Sequence, residues 1–493
     1  MDVIPTAMNI ILIISDTFRY DCATGGFVVK GKHAEVSNLK RLRGEGTSFD
    51  RAHIGSFPTV PNRHDILTGR YTFTYSDWQP MPFSELVLPE VLKKAGYVSV
   101  MIADTPHILK DGFNYDRGFD AWQWTRGQEN DRYRTDPLDV KLPCKPEKLR
   151  SVQTTIQHMR NNALRTLEED WIPAKTAMTA IDWLERNHMS QPFFLYIDFF
   201  DPHEPWDPPR RYIDLYDAGY SGEEVTYPLY GPCDYLTKDE LEHCRAMYAG
   251  EATLVDNWIG RVLEKVDSLG LYEDTAIIFT SDHGFYLGEH GLIGKSIIIG
   301  DFYGSAPMYE EVAHIPLFIR LPDGLRQGGN STVDELAQPP DITATILDLA
   351  GMNSGNQCMH GKSLMPCITG QKGPLRDFAV SSPPILHGPS AGLRATITTK
   401  KWTLILAPEE SSSTAEGAEF TLMVDGTRRV LRPFGKVNSE LYDLSIDPMQ
   451  EHSILSANMG VARALQGDFV KWLRELDMKE DRVTPWLKCR GIQ

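Results

Sequence analysis

The sequence lacks the marks of several protein classes. The apolar run near its start, Ile10–Ile14, falls far short of the ~20 residues a membrane helix needs and has no basic stretch before it. Neither a membrane span nor a secretory leader is therefore expected. Cysteine is scarce and unpatterned: Cys22, Cys144, Cys233, Cys244, Cys358, Cys367 and Cys489 make an odd set of seven with no C-x-x-C pair. That pattern speaks against a disulfide framework and a structural zinc site, and leaves free thiols in a reducing, cytoplasmic setting as the expectation. Positive charge is in deficit, with 50 Lys and Arg against 67 Asp and Glu and a formal charge of -17. Such a surface repels a phosphate backbone, so extended nucleic acid is not an expected partner. No internal repeat or long low-complexity tract is present.

What is present is an ordinary globular composition: 41% apolar, 10% aromatic and 24% charged over 493 residues, room for about three domains or one large domain with an appendage. One pattern recurs. Ile10–Ile14 leads into Ser15 and Asp16, Val98–Ala103 into Asp104, Phe193–Ile197 into Asp198, and Ala276–Thr280 into Ser281 and Asp282. Each reads as a buried parallel strand with polar residues at its carboxyl end. Between them lie helical stripes, clearest at Ala252, Val255, Trp258, Ile259, Val262, Val266 and Leu269, closed by Gly270. The alternation predicts an α/β fold: a large, mostly parallel sheet sandwiched by helices, with the strand ends converging on one crevice.

After about residue 385 the grammar changes. Gly392–Leu406 reads as two short strands, Glu409–Gly417 as a surface loop, Leu422–Leu431 as more strand and Val461–Leu476 as a helix. The expected division is a main domain over 1–385 and a smaller C-terminal α+β subdomain over 386–493. Arg126–Arg165, polar and rich in Arg, Asp and Pro, is the candidate excursion or lid over the crevice, with a solvated surface loop as the default expectation.

Two segments carry chemistry. Ser281-Asp282-His283-Gly284 sets a carboxylate beside an imidazole at a strand end, and Asp16 is the natural third ligand for a divalent cation. In Pro58-Thr59-Val60-Pro61-Asn62-Arg63, a helix starting near Pro61 points its free amides toward the Thr59 hydroxyl and puts Arg63 one turn in. A hydroxyl nucleophile with a bidentate cation nearby suits attack on a tetrahedral oxyanion.

Together these segments resemble the sulfatase branch of the alkaline phosphatase superfamily, whose signature is Cys or Ser, any residue, Pro, any residue, Arg, leading into Leu-Thr-Gly-Arg. Here Thr59, Pro61, Arg63 and Leu67–Arg70 match, save at the first position. Asn9–Asp21 resembles the family's first strand and metal loop, and Phe193–Trp206 its Pro-His-x-Pro segment. Gly294-Lys295 with Tyr309-Glu310-Glu311 resembles its Gly-Lys and Tyr-Glu run, and Leu441-Tyr442-Asp443-Leu444 its C-terminal motif. The resemblance implies Asp16, Asp282 and His283 as metal ligands, with Thr59 completing the sphere of a single divalent ion (Mn, Zn, Ca or Mg). It implies that Arg63 and Lys295 bind the non-bridging oxygens, that His203 faces the leaving group and that His107 sits near the nucleophile. The expected partner is a small anionic ester, with a homo-oligomer also open.

Three departures stand out. Thr17 replaces a second metal-binding aspartate, Thr105 replaces a lysine, and Thr59 replaces the residue that sulfatases convert to formylglycine. A sulfated formylglycine hydrate expels sulfate by collapsing to the aldehyde, an exit that threonine lacks. A Thr59 ester must instead be cleaved by water at the central atom, a route suited to phosphoryl groups. The expected activity is hydrolysis of phosphodiesters or phosphonate monoesters through phospho-Thr59. A sulfate-ester hydrolase and a non-catalytic anion-binding relative are the alternatives.

Overall fold

The computed structural model describes residues 8–137, 139–299, 302–325, 331–352, 359–370, 373–386, 393–409, 420–424, 427–433 and 437–492. Its centre is an eight-stranded sheet built from β1 (Asn9–Ser15), β2 (Thr47–Ala52), β3 (Val98–Ala103), β4 (Ala121–Trp124), β5 (Phe193–Phe199), β6 (Thr275–Ser281), β7 (Leu317–Arg320) and β8 (Ser331–Ala337). The spatial order is β8-β2-β7-β6-β1-β5-β3-β4, and β7 runs against both its neighbours while the other pairs are parallel. The expected mostly parallel sheet is what forms, and the four strands read from sequence are its consecutive centre.

Why those runs read as continuously apolar is visible in the packing. In β1, Ile11 and Ile13 enter the core on one face while Ile10, Leu12 and Ile14 enter the core on the other. Helices α1 (Ser37–Glu45), α4 (Ile172–Asn187) and α5 (Lys238–Ser268) cover the first face. Helices α2 (Thr59–Thr68), α3 (Leu88–Lys94) and α6 (Pro339–Leu349) cover the second. The α5 stripe expected from Ala252 extends back to Lys238, where Thr237 and Glu240 form a reciprocal capping box. Its first half escapes a periodicity search because Ala246–Asp256 is buried throughout, so no single stripe is left.

The small C-terminal sheet is antiparallel and joins β9 (Ala379–Ser381), β10 (Ala395–Thr398), β11 (Trp402–Leu406) and β12 (Glu440–Asp443). Helix α7 (Met459–Glu475) packs Leu465, Phe469 and Leu473 into one core with Leu404, Leu406 and Leu441. Tyr71 and Phe73 reach into that core from beyond α2, and position 385 lies between β9 and β10 of one sheet. The strand expected over Leu422–Leu431 is a hairpin, Phe420–Val424 with Thr427–Pro433. Most of the loop expected over Glu409–Gly417 lies outside the described residues, as does Cys358; the other six cysteines are free thiols. Among the described residues, no helix is long and apolar enough to cross a membrane.

His360 shows how burial couples this junction to pH. Its Nδ1 accepts a hydrogen bond from Tyr71 N at 3.0 Å and its ring stacks on Tyr71, while burial, with help from Arg70, lowers its pKa to about 4. The unfolded chain binds this proton below about 6.5, so stability falls as pH drops from there toward about 4. His360→Gln is expected to remove about 2 kcal/mol of that pH dependence, read from denaturant unfolding at pH 7 and pH 4.5.

Candidate active site

Parallel register brings the functional carboxylates to one end of the sheet. Ser15 pairs with Phe199 on one side and Ser281 on the other, so Asp16 and Asp282 leave adjacent strands at the same level, and Asp198 lies one residue back. Ligand oxygens of Asp16 and Asp282 and a ring nitrogen of His283 lie within 4.8 Å of one another, all three residues buried. His283 Nδ1–H donates to Gly284 O at 3.0 Å, which leaves Nε2 as the ring's lone-pair nitrogen. Burial lowers the His283 pKa to about 3, so the ring is a neutral ligand. Asp16 Oδ2 has no hydrogen-bond partner, and burial followed by repulsion from Asp282 pushes its carboxyl well above the usual range. Burial also opposes the Asp282 carboxylate, yet His283 and Arg63 outweigh it and hold that group low. A buried, underneutralised pair of carboxylates beside a lone-pair imidazole fits a divalent cation.

Thr17 supports this group. Its Oγ1 donates to Asp16 Oδ1 at 2.7 Å and its N–H to Asp282 Oδ1 at 3.0 Å. It does so at φ 61°, a rare backbone for a β-branched residue, and Tyr248 of α5 pins its carbonyl at 2.9 Å.

Helix α2 starts at Thr59, two residues before the expected Pro61, because the missing N–H of Pro61 costs nothing in a first turn whose donors have no intrahelical partner. Thr59 Oγ1 therefore sits at a buried helix N-terminus, 3.4 Å from His283 Nε2. Asp65, one turn further, accepts from Ser56 N, Ser56 Oγ and Thr72 N at 2.6 to 2.7 Å and so fixes the chain entering and leaving α2.

Arg63 is fully buried and wholly committed. Nε and Nη2 donate to the two oxygens of Asp198 at 2.8 Å each; Nη1 donates to Asp282 Oδ2 at 2.6 Å and Thr59 O at 3.2 Å, and lies 3.0 Å from Asp16 Oδ2. Nη2 also reaches Thr105 Oγ1 at 3.5 Å, so as folded no guanidinium donor is left for a substrate oxygen. Thr105 and Tyr196 donate to Asp198 at 2.6 and 2.7 Å, which saturates the acceptor side and keeps Asp198 out of the ligand group.

Lys295 lies opposite. Its Nζ is 2.9 Å from His203 Nε2 and 3.1 Å from His283 Nε2, donating to both lone pairs. His203 Nδ1–H donates to Glu204 O at 2.6 Å, and burial, then Lys295, keeps its ring neutral. Phe200 stacks on His203 with centroids 4.2 Å apart, and its other neighbour is the His107 ring at 5.5 Å. The structure thus brings Asp16, Thr59, Arg63, Asp282, His283, Lys295 and His203 into direct contact, with His107 one ring away.

Comparison with known proteins decides what kind of site this is. The family model described as Sulfatase matches residues 8–352, which hold every one of these groups. The chain belongs to the sulfatase family. Relatives include an arylsulfatase of Clostridium perfringens, 27% identical over 75% of this chain and 80% of that protein. Another is the multifunctional alkaline phosphatase superfamily protein PehA of Trinickia caryophylli, 27% identical over 74% of this chain and 77% of that one. In fold, the chain resembles the phosphonate monoester hydrolase of Agrobacterium radiobacter, with TM-score 0.68 and 21% identity over 95% of each chain. The sulfatase-family hydrolases act on ester bonds, and this chain is an enzyme of that kind.

Sequence reading of this sulfatase-family member missed three partners. Asp198 was legible as a strand-end carboxylate but not as the counter-ion of Arg63, since that pairing needs α2 laid across β5. Glu129, 3.0 Å from His107 Nε2, had no local signal beyond lying in Arg126–Arg165. Glu204, whose carbonyl holds His203, lies inside the recognised segment as the unspecified residue of Pro202-His203-Glu204-Pro205.

Adding Mn²⁺, Zn²⁺, Ca²⁺ or Mg²⁺ to chelator-treated protein should raise the melting temperature, by about 3 kcal/mol of stability at a hundredfold excess over Kd. Asp282→Asn should abolish the response, and a flat melting temperature with all four ions would overturn the ligand assignment.

Proposed function

We propose that this sulfatase-family enzyme hydrolyses singly charged phosphoryl esters, phosphodiesters or phosphonate monoesters, with Thr59 as nucleophile. The observation that carries this reading is the Thr59 hydroxyl, buried at the N-terminus of α2 and 3.4 Å from the nitrogen that completes the ligand group. A threonine ester has no aldehyde to collapse to, so its release requires water at the central atom, which favours phosphorus over sulfur.

Charge supports the substrate class. Asp16, Asp198 and Asp282 face Arg63 and Lys295 in the pocket, one more carboxylate than cation. Asp16, Asp282, His283 and Thr59 would hold a divalent cation, which would turn that deficit into one net positive charge and would supply acidification of the Thr59 hydroxyl and charge neutralisation. One net positive charge matches a monoanion better than a dianion. The ion is Mn, Zn, Ca or Mg, and one site suffices because Asp198 is fully spent on Arg63.

Each residue then has a task. Arg63 holds the three carboxylates in place as their common counter-ion, in exchange for the oxygen clamp expected of it. Lys295 faces the developing charge and carries the proton for the leaving oxygen, while neutral His203 accepts its hydrogen bond and steers the ammonium. The step forms a Thr59 Oγ–phosphorus bond, releasing the hydroxyl proton to solvent, and breaks the bond to the leaving oxygen, which takes its proton from Lys295; water then attacks phosphorus, returning a proton to Lys295, and the Thr59 Oγ–phosphorus bond breaks as Oγ regains a proton from solvent.

Sulfate-ester hydrolysis is the second reading, favoured by the arylsulfatases among the relatives. A metal-reconstituted screen of nitrophenyl phosphodiester, phosphonate monoester, phosphate monoester and sulfate separates the two. Expected are turnover of the first two substrates, a phosphoryl adduct on the quenched Thr59 peptide by mass spectrometry, and at least a ~10³-fold loss in Thr59→Ala. Arylsulfate turnover without phosphodiester cleavage establishes the second reading. Rates unchanged in Thr59→Ala on every ester remove Thr59 as nucleophile.

A further inference from the structure

The segment Arg126–Asp131, Arg-Gly-Gln-Glu-Asn-Asp, folds as a closed loop. Arg126 donates to both oxygens of Asp131 at 2.6 and 2.7 Å, and Gly127 N donates to Asp131 Oδ2 at 2.9 Å. Two side chains project from this loop toward the site. Gln128 Nε2 donates to Asp201 Oδ2 at 2.8 Å, just before His203, and Glu129 Oε2 lies 3.0 Å from His107 Nε2.

Glu129 is held from several directions. Tyr227 OH donates to its Oε1 at 2.7 Å, and its N–H donates to His158 Nδ1 at 3.1 Å. Its backbone sits at φ 45°, a conformation that costs a side-chain-bearing residue of order 1–3 kcal/mol and is kept where the surroundings over-determine it. The carboxylate is 4% exposed, and its Oε2 has no hydrogen-bond partner; His107 Nε2, at 3.0 Å, is in ion-pair range but outside hydrogen-bond alignment. Burial opposes its charge, but the His107 ring beside it and the Arg150 cation hold its pKa well below the usual carboxylate range. The His107 ring is wedged between Trp78 and Phe200, with centroids 5.3 and 5.5 Å away, and Lys110 and Lys295 are the cations facing it.

A lone pair on Nε2 would face an ionised carboxylate oxygen at 3.0 Å, so this charge contact favours the ring proton on Nε2 and leaves Nδ1 as the acceptor nitrogen. We propose that Glu129 is a positioning residue that locks His107 in the Nε2–H tautomer, so that Nδ1 serves as acceptor in the ester chemistry beside Lys295 and His203. The role of Nδ1 rests on the ester-hydrolase reading above; the hold on the ring does not. It gives the loop a task, since the Arg126–Asp131 ion pair shapes the turn that brings Glu129 to His107.

The test is ¹⁵N spectroscopy of the His107 ring together with steady-state kinetics on the best ester, using metal-loaded full-length enzyme. Wild type should show Nε2 protonated. Glu129→Ala should lose that preference and lower kcat about 10- to 100-fold with KM within about threefold, and Glu129→Gln, whose amide oxygen still accepts, should recover most of both. If the alanine variant does not fold, Glu129→Leu, which fills the space without an acceptor, carries the same comparison. An unchanged tautomer, or an unchanged kcat with a changed tautomer, overturns the proposal. Tautomer loss in an enzyme that turns over no ester counts against the ester reading while leaving the hold of Glu129 on the ring intact.

Discussion

Three carboxylates converge on one guanidinium, and none of the four side chains touches solvent. Ions stripped of water in this way are tolerated only as a set, because removing one partner leaves an uncompensated buried charge at about 3–5 kcal/mol. Everything nearby is bound by that condition. Asp16 follows β1, Asp198 lies in β5, Asp282 follows β6, and Arg63 stands one turn into α2, so the ion cluster ties three central strands to the helix that carries Thr59. The turn that delivers Arg63 to Asp198 also fixes where Thr59 can be. The orphaned oxygen of Asp16 is what remains when three acceptors share one cation, and it is the feature that asks for a metal.

The departures from the family pattern fit the same accounting. A lysine at position 105 would add a cation beside Arg63; here Thr105 donates a hydroxyl to Asp198 instead, and Asp198 spends both oxygens on Arg63. An aspartate at position 17 would add a fourth negative charge; Thr17 donates to Asp16 and Asp282 and lowers their mutual repulsion without adding one. The two exchanges have opposite sign and leave the net charge of the pocket where the family pattern has it, with Lys295 as the remaining cation beside His283. The acidic chain as a whole therefore does not bar a small anion, since a local field inside a buried pocket outweighs a screened, distant surface.

Sequence patterning reached the fold because buried parallel strands have a strong signature. Ile10–Ile14, Phe193–Ile197 and Ala276–Thr280 are apolar on both faces, and each ends at the level where a polar residue can leave the sheet. It reached Asp16, Asp282, His283 and Thr59 because these stand at strand ends or beside a proline-marked helix start. It was less sure where packing overrides local rules: α2 begins before Pro61, and α5 hides half its length in uniform burial. Residues placed by a single long-range contact, such as Glu129 against His107 across 22 positions of chain, leave no periodic trace.

The sequence by itself determined the α/β grammar, the residue types gathered at the strand ends, and the replacement of a convertible Cys or Ser by Thr59. These follow from hydrophobic period and from covalent chemistry, both of which are local. Tertiary structure decided which charges face each other. It paired Arg63 with Asp198 in place of a substrate oxygen, turned Thr17 and Thr105 into donors for buried carboxylates, and carried Glu129 to His107. Those pairings depend on sheet order, register and loop closure, and Coulomb energy in a dry interior is decided at distances of a few ångström that no linear spacing encodes.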